Sequence, residues 1–140
     1  MRPDAQLFLH ILAATALFGS TLTLVALGLA SGRVAAPRSL ALGAVATTLA
    51  VAVPSWIVMF VFGTWTKSNE GWPSGLQWIQ IGSGVAVAGI FVLVGEAALA
   101  YAWLRRPASS MLGPVIGVVA AGYAVALGVA WWVMTTKLPS

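Results

Sequence analysis

Four long apolar stretches take up nearly all of this 140-residue chain. They cover about residues 5–30, 39–65, 78–104 and 111–135, and each is long enough to cross a hydrocarbon layer of about 30 Å. Apolar residues make up 60% of the sequence and charged residues only 7%, which leaves too little polar chain to coat a water-soluble domain. The sequence therefore predicts an integral membrane protein whose solvent is lipid.

The spans are predicted to be helices rather than the strands of a β-barrel. Barrel strands alternate apolar and polar residues, whereas the runs at 22–30 and 85–94 do not alternate. The connections near 32–38, 66–77 and 105–110 are too short to hold a domain outside the membrane. The predicted fold class is all-α, a polytopic bundle of four transmembrane helices that forms a single domain over residues 1–140.

The motifs that the sequence lacks narrow the chemistry. The chain has no cysteine, which excludes disulfides, thiolate metal sites and CxxC redox centres. It also has no Walker loop, no GxSxG, no HExxH and no dinucleotide-binding fingerprint. We therefore expect no enzymatic activity and assign no catalytic residue.

The basic residues predict the orientation in the membrane. Four of the seven, Arg33, Arg38, Arg105 and Arg106, lie in the first and third loops, which contain no acid. The positive-inside rule places these loops in the cytoplasm and both termini outside. Aromatic belts mark interfaces, and five tryptophans lie at the ends assigned to the outer face: Trp65, Trp72, Trp78, Trp131 and Trp132. The basic charge therefore indicates topology and contact with membrane lipids, not nucleic-acid binding.

The two halves of the chain resemble each other. Sliding the sequence against itself by half its length pairs fourteen identical residues, about twice the number expected from so biased a composition. The pairs include Pro37 with Pro107 and Thr66-Lys67 with Thr136-Lys137. One interpretation is a tandem repeat of helical hairpins, residues 1–70 and 71–140, related by a pseudo-two-fold axis along the membrane normal. The other is shared membrane composition with a common hairpin pattern.

A polar pocket near the outer face is a first candidate site. The duplication places His10 opposite Gln80, and Trp131 falls near the same depth, so these three residues define the pocket. His10 is the only histidine, so it is either a hydrogen-bonded residue near the headgroups or a ligand. A b-type haem would need a second axial ligand from another copy of the chain, from Met59 or from Met134. No cofactor is assigned beyond this haem alternative, and no metal is assigned.

Glu96 is the second candidate site, for binding a proton or a ligand inside the membrane. It lies about eight residues from the inner end of the third span, where an acid is costly unless it is protonated, paired or facing water. No Lys or Arg shares its depth, so desolvation favours the neutral carboxyl that a proton carrier needs. Glu96 could equally be a structural acid that ties helices together. Hydroxyl groups counted to the same depth could hydrogen-bond it: Ser20, Thr21, Thr23, Thr47 and Thr48.

Short motifs at both ends carry a family resemblance. The opening LHILAA at 9–14 with Gly19, and the closing WVMTTKLP at 132–139, resemble small bacterial four-helix predicted integral membrane proteins of unknown function. The first helix is also similar to copper-resistance D-type membrane proteins. Leu138 departs from the Lys-Pro ending typical of the first group. The resemblance implies a helical bundle in the bacterial inner membrane and carries over no site beyond His10.

Three functions fit these features. The first is a non-enzymatic accessory or scaffolding subunit that packs as a homo-oligomer or within a larger membrane complex. The second is a small proton-coupled transporter that uses Glu96. The third is a haem-binding electron-transfer protein that uses His10. The expected location for all three is the bacterial cytoplasmic membrane.

Overall fold

A computed structural model describes residues 2–33, 35–73 and 75–137, and these residues form helices joined by short loops, with no strand among them. Residues 138 and 139 of the closing motif lie outside the described part. The helices, in chain order, are α1 (Pro3–Ala30), α2 (Pro37–Ala46), a π-helical segment (Thr47–Ala52), α3 (Val53–Glu70), α4 (Gln77–Arg105) and α5 (Leu112–Thr136). Because α2, the π-helical segment and α3 follow one another without a break, the chain has four long helical spans.

Each of the four spans is long and apolar enough to cross a membrane. This confirms the predicted fold class, an all-helical bundle with the architecture of a multi-pass membrane protein. The spans begin and end within five residues of their predicted bounds. The largest difference is at α3, which continues past the apolar stretch to Glu70 and ends where Gly71 adopts the left-handed conformation, with φ of 65°. Whether the halves are true repeats remains a prediction.

The π-helical segment lies directly before Pro54. Proline has no N–H, so it cannot donate the usual bond to the carbonyl four residues earlier. The backbone widens instead, and the N–H of Val53 bonds to the carbonyl of Thr48, five residues back. A π-helical insertion of this kind often marks a functional position in a helix.

The spans pack in a ring. α1 contacts the second span and α5, and α4 contacts the same two neighbours, while helices on opposite corners scarcely touch within the described residues. Two layers of buried apolar side chains fill the centre. One layer, around Trp103, lies towards the loops at 31–36 and 106–111, which we call the arginine end. The other, around Leu17, Met59 and Leu93, lies towards the opposite end, which we call the terminal end.

Polar and aromatic contacts close the terminal end. Gln6 is fully buried, and its side-chain oxygen accepts a hydrogen bond of 2.7 Å from Asn69. The Nζ atom of Lys137 lies 5.2 Å from the ring centre of Trp72 and 5.8 Å from that of Trp78. These contacts join the N-terminus of α1 to α3 and the C-terminus of α5 to the loop before α4.

Two glycines bring the backbones of α1 and α5 close together. A Cβ atom added at Gly28 would lie only 2.6 Å from the Cα and N atoms of Gly117. Lipid provides no hydrophobic drive for helix association, so close packing through small residues is what holds such helices together. Gly19 offers a matched reference, because a Cβ atom there meets nothing within 4 Å.

We expect Gly28→Val to destabilise the bundle by about 1–3 kcal/mol relative to Gly19→Val, because the added side chain forces two backbones apart. Both variants gain the same helix propensity, so their difference isolates the clash. The thermal unfolding midpoint in detergent, followed by circular dichroism, measures the effect. Equal midpoints for the two variants would contradict the α1–α5 contact.

Candidate functional site

Glu96 lies in the interior of the bundle, with 1% of its surface exposed. Neither carboxyl oxygen has a hydrogen-bond partner among the described residues. The apolar layer around Trp103 lies on the arginine side of it, and the layer around Leu93 lies on the terminal side. An acid in this position costs free energy unless it is neutral or takes a partner from outside the protein.

The predicted hydroxyl belt does not bond to Glu96. Ser20 and Thr21 each donate to the carbonyl of Leu17, and Thr48 donates to that of Ala44, at 2.8 Å in every case. Thr23 is exposed and donates to Gly19, and Thr47 is half-buried. Ser and Thr in helices commonly bond back to the preceding turn in this way. The O–H groups of the buried residues thus already donate hydrogen bonds, and only the lone pairs of their oxygens remain to accept one.

The helix register places Glu96 at the depth of the π-helical segment. The indole N–H of Trp56 in α3 donates to the carbonyl of Ala86 in α4, at 2.7 Å. The second span and α4 run antiparallel. Moving ten residues along α4 from Ala86 to Glu96 therefore corresponds to moving about ten residues back along the second span from Trp56. Glu96 therefore lies at the level of residues 46–48, where the π-helical segment begins at Thr47 and Thr48 is buried.

Tyr123 is a second buried polar group without a partner. It is 5% exposed, and its hydroxyl has no hydrogen bond within the described part of the chain. The phenol packs on Gly89, where an added Cβ atom would lie 2.8 Å from its Cζ atom and 3.0 Å from the indole nitrogen of Trp56. That indole N–H is already bonded to Ala86, so it does not satisfy the Tyr123 hydroxyl.

The two unpartnered groups are both buried along α4. Tyr123 packs on Gly89, and Glu96 follows Gly89 by seven residues, two turns along the same buried face, which is about 10 Å of helix rise. Side chains of a helix lean towards its N-terminus, so the carboxyl lies on the Gly89 side of its own backbone. The two groups are not hydrogen-bonded to each other. We call this pair of unpartnered groups in the apolar core the Glu96–Tyr123 region.

A groove of about 400 Å³ runs between α4 and α5 and opens on the outer surface of the bundle. Its walls are apolar, and Tyr123 contributes to its lining. Val92, one helical turn before Glu96, lies in the same lining. The groove therefore reaches Tyr123 directly, whereas Glu96 is not part of its lining. Its other principal lining residues are Gly84, Ala88, Val118 and Gly122.

The residues of the predicted outer pocket lie on separate surfaces. His10 packs against Gly63, and its Nδ1 atom lies 2.7 Å from the carbonyl oxygen of Met59. In the neutral ring Nδ1 is then the donor and Nε2 is left as an acceptor. Gln80 is exposed on α4, and the ring of Trp131 lies edge-on to Phe18 at 6.5 Å. No hydrogen bond joins His10, Gln80 and Trp131 in the described ranges.

Among the described residues, no group of three or more His, Cys, Asp or Glu side chains could hold a metal ion. A role for His10 in binding haem remains a prediction. No protein family, curated protein or solved structure matches this chain. The resemblance of its end motifs therefore also remains a prediction, and the site has to be interpreted from its own geometry.

Sequence reasoning found Glu96 and its neighbour Gly89 but missed Tyr123. A tyrosine in an apolar span is compatible with an interface, with lipid contact or with the core, so its type alone carries little information. The available signal was spacing, since Gly89 and Glu96 share a face of α4 and a glycine there permits a large side chain to approach. Which large side chain fills that space depends on the register of α5.

We expect Glu96→Met to stabilise the protein by about 1–3 kcal/mol, because it removes an unpartnered buried carboxyl and keeps a side chain of similar length. The measurement is the unfolding midpoint in detergent. Glu70→Met, at an exposed position, is the control and should leave the midpoint unchanged. A fall in stability for Glu96→Met would instead identify a structural acid with a partner.

Proposed function

We propose that the protein is a small proton-linked membrane carrier in which Glu96 binds and releases the proton. The observation that carries the proposal is the full burial of a carboxyl group with no hydrogen-bond partner among the described residues. Ionisable groups inside membrane spans are rare and costly, and they commonly belong to proton or substrate pathways.

The surroundings of Glu96 support its use as a proton site. All seven basic residues lie in loops or within the first or last turns of helices, so none neutralises it inside the bundle. The nearby hydroxyls retain acceptor lone pairs, which suit the O–H of a neutral acid better than a carboxylate. Losing the proton therefore leaves a charge that the bundle does not satisfy. A carrier can use that change to drive a rearrangement or to bind a cation.

The second span supports movement at the same depth. The π-helical segment begins at the depth of Glu96, and this segment and Pro54 interrupt the regular hydrogen-bond ladder of the second span. Interrupted helices in membrane proteins are tolerated where they line a site or a cavity. A span whose ladder is already irregular needs to break fewer bonds to change shape.

The chain has only two glutamates, which allows a direct test of proton exchange. Glutamate labelled with ¹³C at the side-chain carboxyl should give one signal from Glu96 and one from exposed Glu70. We expect the Glu96 signal to move reversibly with pH in liposomes. Glu96→Gln assigns the inner signal. A Glu96 signal that stays fixed over the whole pH range in which the protein is folded would contradict proton uptake.

One observation favours a second function. No opening reaches the Glu96 carboxyl itself, since only 1% of the residue is exposed, and a closed bundle suits an accessory or scaffolding subunit. In that role Glu96 would not exchange its proton, so the same labelling experiment separates the two functions.

We further propose that the protein resides in a bacterial cytoplasmic membrane with both termini outside. Support comes from the arginines of the first and third loops. The chain has no native cysteine, so Ser68→Cys and Ser110→Cys each introduce a single exposed thiol at opposite ends of the bundle. We expect an impermeant maleimide to label residue 68 in intact cells, and to label residue 110 only after the membrane is opened. Labelling of both residues in intact cells would contradict this topology.

A further inference from the structure

We propose that the groove between α4 and α5 admits a lipophilic organic cation from the membrane, which exchanges for the proton of Glu96. The inference rests on the proposed function, because it names the second solute of the same site. It starts from the groove of about 400 Å³, a volume within the range of small-molecule sites, roughly 300–1,000 Å³.

Buried side chains close both ends of the bundle, whereas the groove leaves space on its lateral face. At the arginine end, a layer drawn from all four spans, with Trp103 fully buried, closes the bundle. At the terminal end, Trp78, Ile79 and Val133 form a further buried cluster. On the lateral face, by contrast, Gly84 and Gly122 leave space, because a Cβ atom at either position meets nothing within 4 Å.

The chemistry along this route selects a ligand that is both apolar and positively charged. The walls of the groove are valine, alanine and glycine, and an apolar molecule reaches them directly from lipid. The remaining lining residue is Tyr123, whose phenol packs on Gly89 together with the indole nitrogen of Trp56, and the carboxyl of Glu96 is buried in the bundle one turn beyond Val92. Aromatic faces attract cations, and a carboxylate supplies the opposite charge. A neutral lipid would leave both unpartnered groups unsatisfied.

The exchange balances one charge against one proton. Glu96 begins as a neutral acid, and its proton leaves to bulk water as the cation binds beside the carboxylate. Entry requires Val92 and Tyr123 to shift, because they separate the groove from the carboxyl. The bound pair is then neutral overall, which lowers the cost of keeping a charge inside the membrane.

The other charged and titratable groups are remote from this exchange. Among the described residues of the helices packed around Glu96, Tyr123 is the one other buried titratable side chain. Other such groups lie towards the ends of their helices: Asp4 and His10 of α1, Arg38, Lys67 and Glu70 of the second span, Tyr101 and Arg105 of α4, and Lys137 after α5. The pH dependence of cation binding therefore reports on Glu96.

Equilibrium binding of tetraphenylphosphonium to the purified full-length protein in detergent tests the proposal. This probe carries a permanent charge, so its own charge does not change with pH. We expect saturable binding that strengthens as pH rises, because fewer protons then compete for Glu96. Glu96→Gln should weaken the binding by about tenfold or more and remove its pH dependence.

Groove-filling variants locate the bound cation. Gly122→Leu places a side chain in open groove space and should weaken binding by about tenfold without loss of the folded protein. Gly19→Leu on α1 is the matched control, because its Cβ atom is equally unopposed and lies outside the groove. Circular dichroism confirms that both variants are folded.

Absence of saturable binding would overturn the proposal, as would binding that Gly122→Leu leaves unchanged. If the labelled Glu96 carboxyl titrates but tetraphenylphosphonium does not bind, the substrate class is wrong while proton uptake stands. If Glu96 does not titrate, the proposed function itself fails. Binding that persists unchanged in Glu96→Gln would identify adsorption in an apolar groove without exchange.

Discussion

The absence of water inside the hydrocarbon layer governs this structure. Every backbone group within a span has to be bonded internally, which is why the described chain is a set of long helices. Because water is absent, no hydrophobic effect presses these helices together. They approach each other closely through glycine instead, as where Gly28 meets Gly117. The hydroxyl side chains obey the same rule, since the buried Ser20, Thr21 and Thr48 bond back to their own helices. When polar side chains form their hydrogen bonds within their own helix, the fold needs few polar contacts between helices.

Glu96 and Tyr123 are the exceptions, and their isolation follows from the way in which the other groups are satisfied. The threonines near the core have given their donors to carbonyls one turn away, and the indole of Trp56 has given its donor to Ala86. None of these groups has a donor left for a carboxylate. Two such unpartnered groups in neighbouring helices are more informative than either alone, because a single one could be a local packing defect.

The sequence predicted the fold well because hydrophobic length is a property of each span separately. It predicted Glu96 as a candidate site because an acid in an apolar stretch is conspicuous whichever way its helix is rotated. It did not predict that Thr23 faces outward, or that Gln80 is exposed while His10 packs on Gly63, because these outcomes depend on the rotation of each helix about its axis. Long helices that are apolar on all sides carry little rotational information. The end of α3 was missed for a different reason: the polar residues 67–70 extend the helix beyond the lipid until Gly71 stops it.

Three irregular features of the bundle lie near one another. The widened backbone before Pro54, the unpartnered carboxyl of Glu96 and the inner part of the groove near Val92 lie on adjacent spans within a few turns of one another. Each is costly or weak by itself: an irregular ladder loses regular bonds, a buried acid loses solvation, and a groove loses packing contacts. Helices of a purely structural bundle gain nothing by placing these defects together. A site that binds a charged ligand from the membrane needs all three, since it requires an entrance, a counter-charge and a neighbouring helix that can yield.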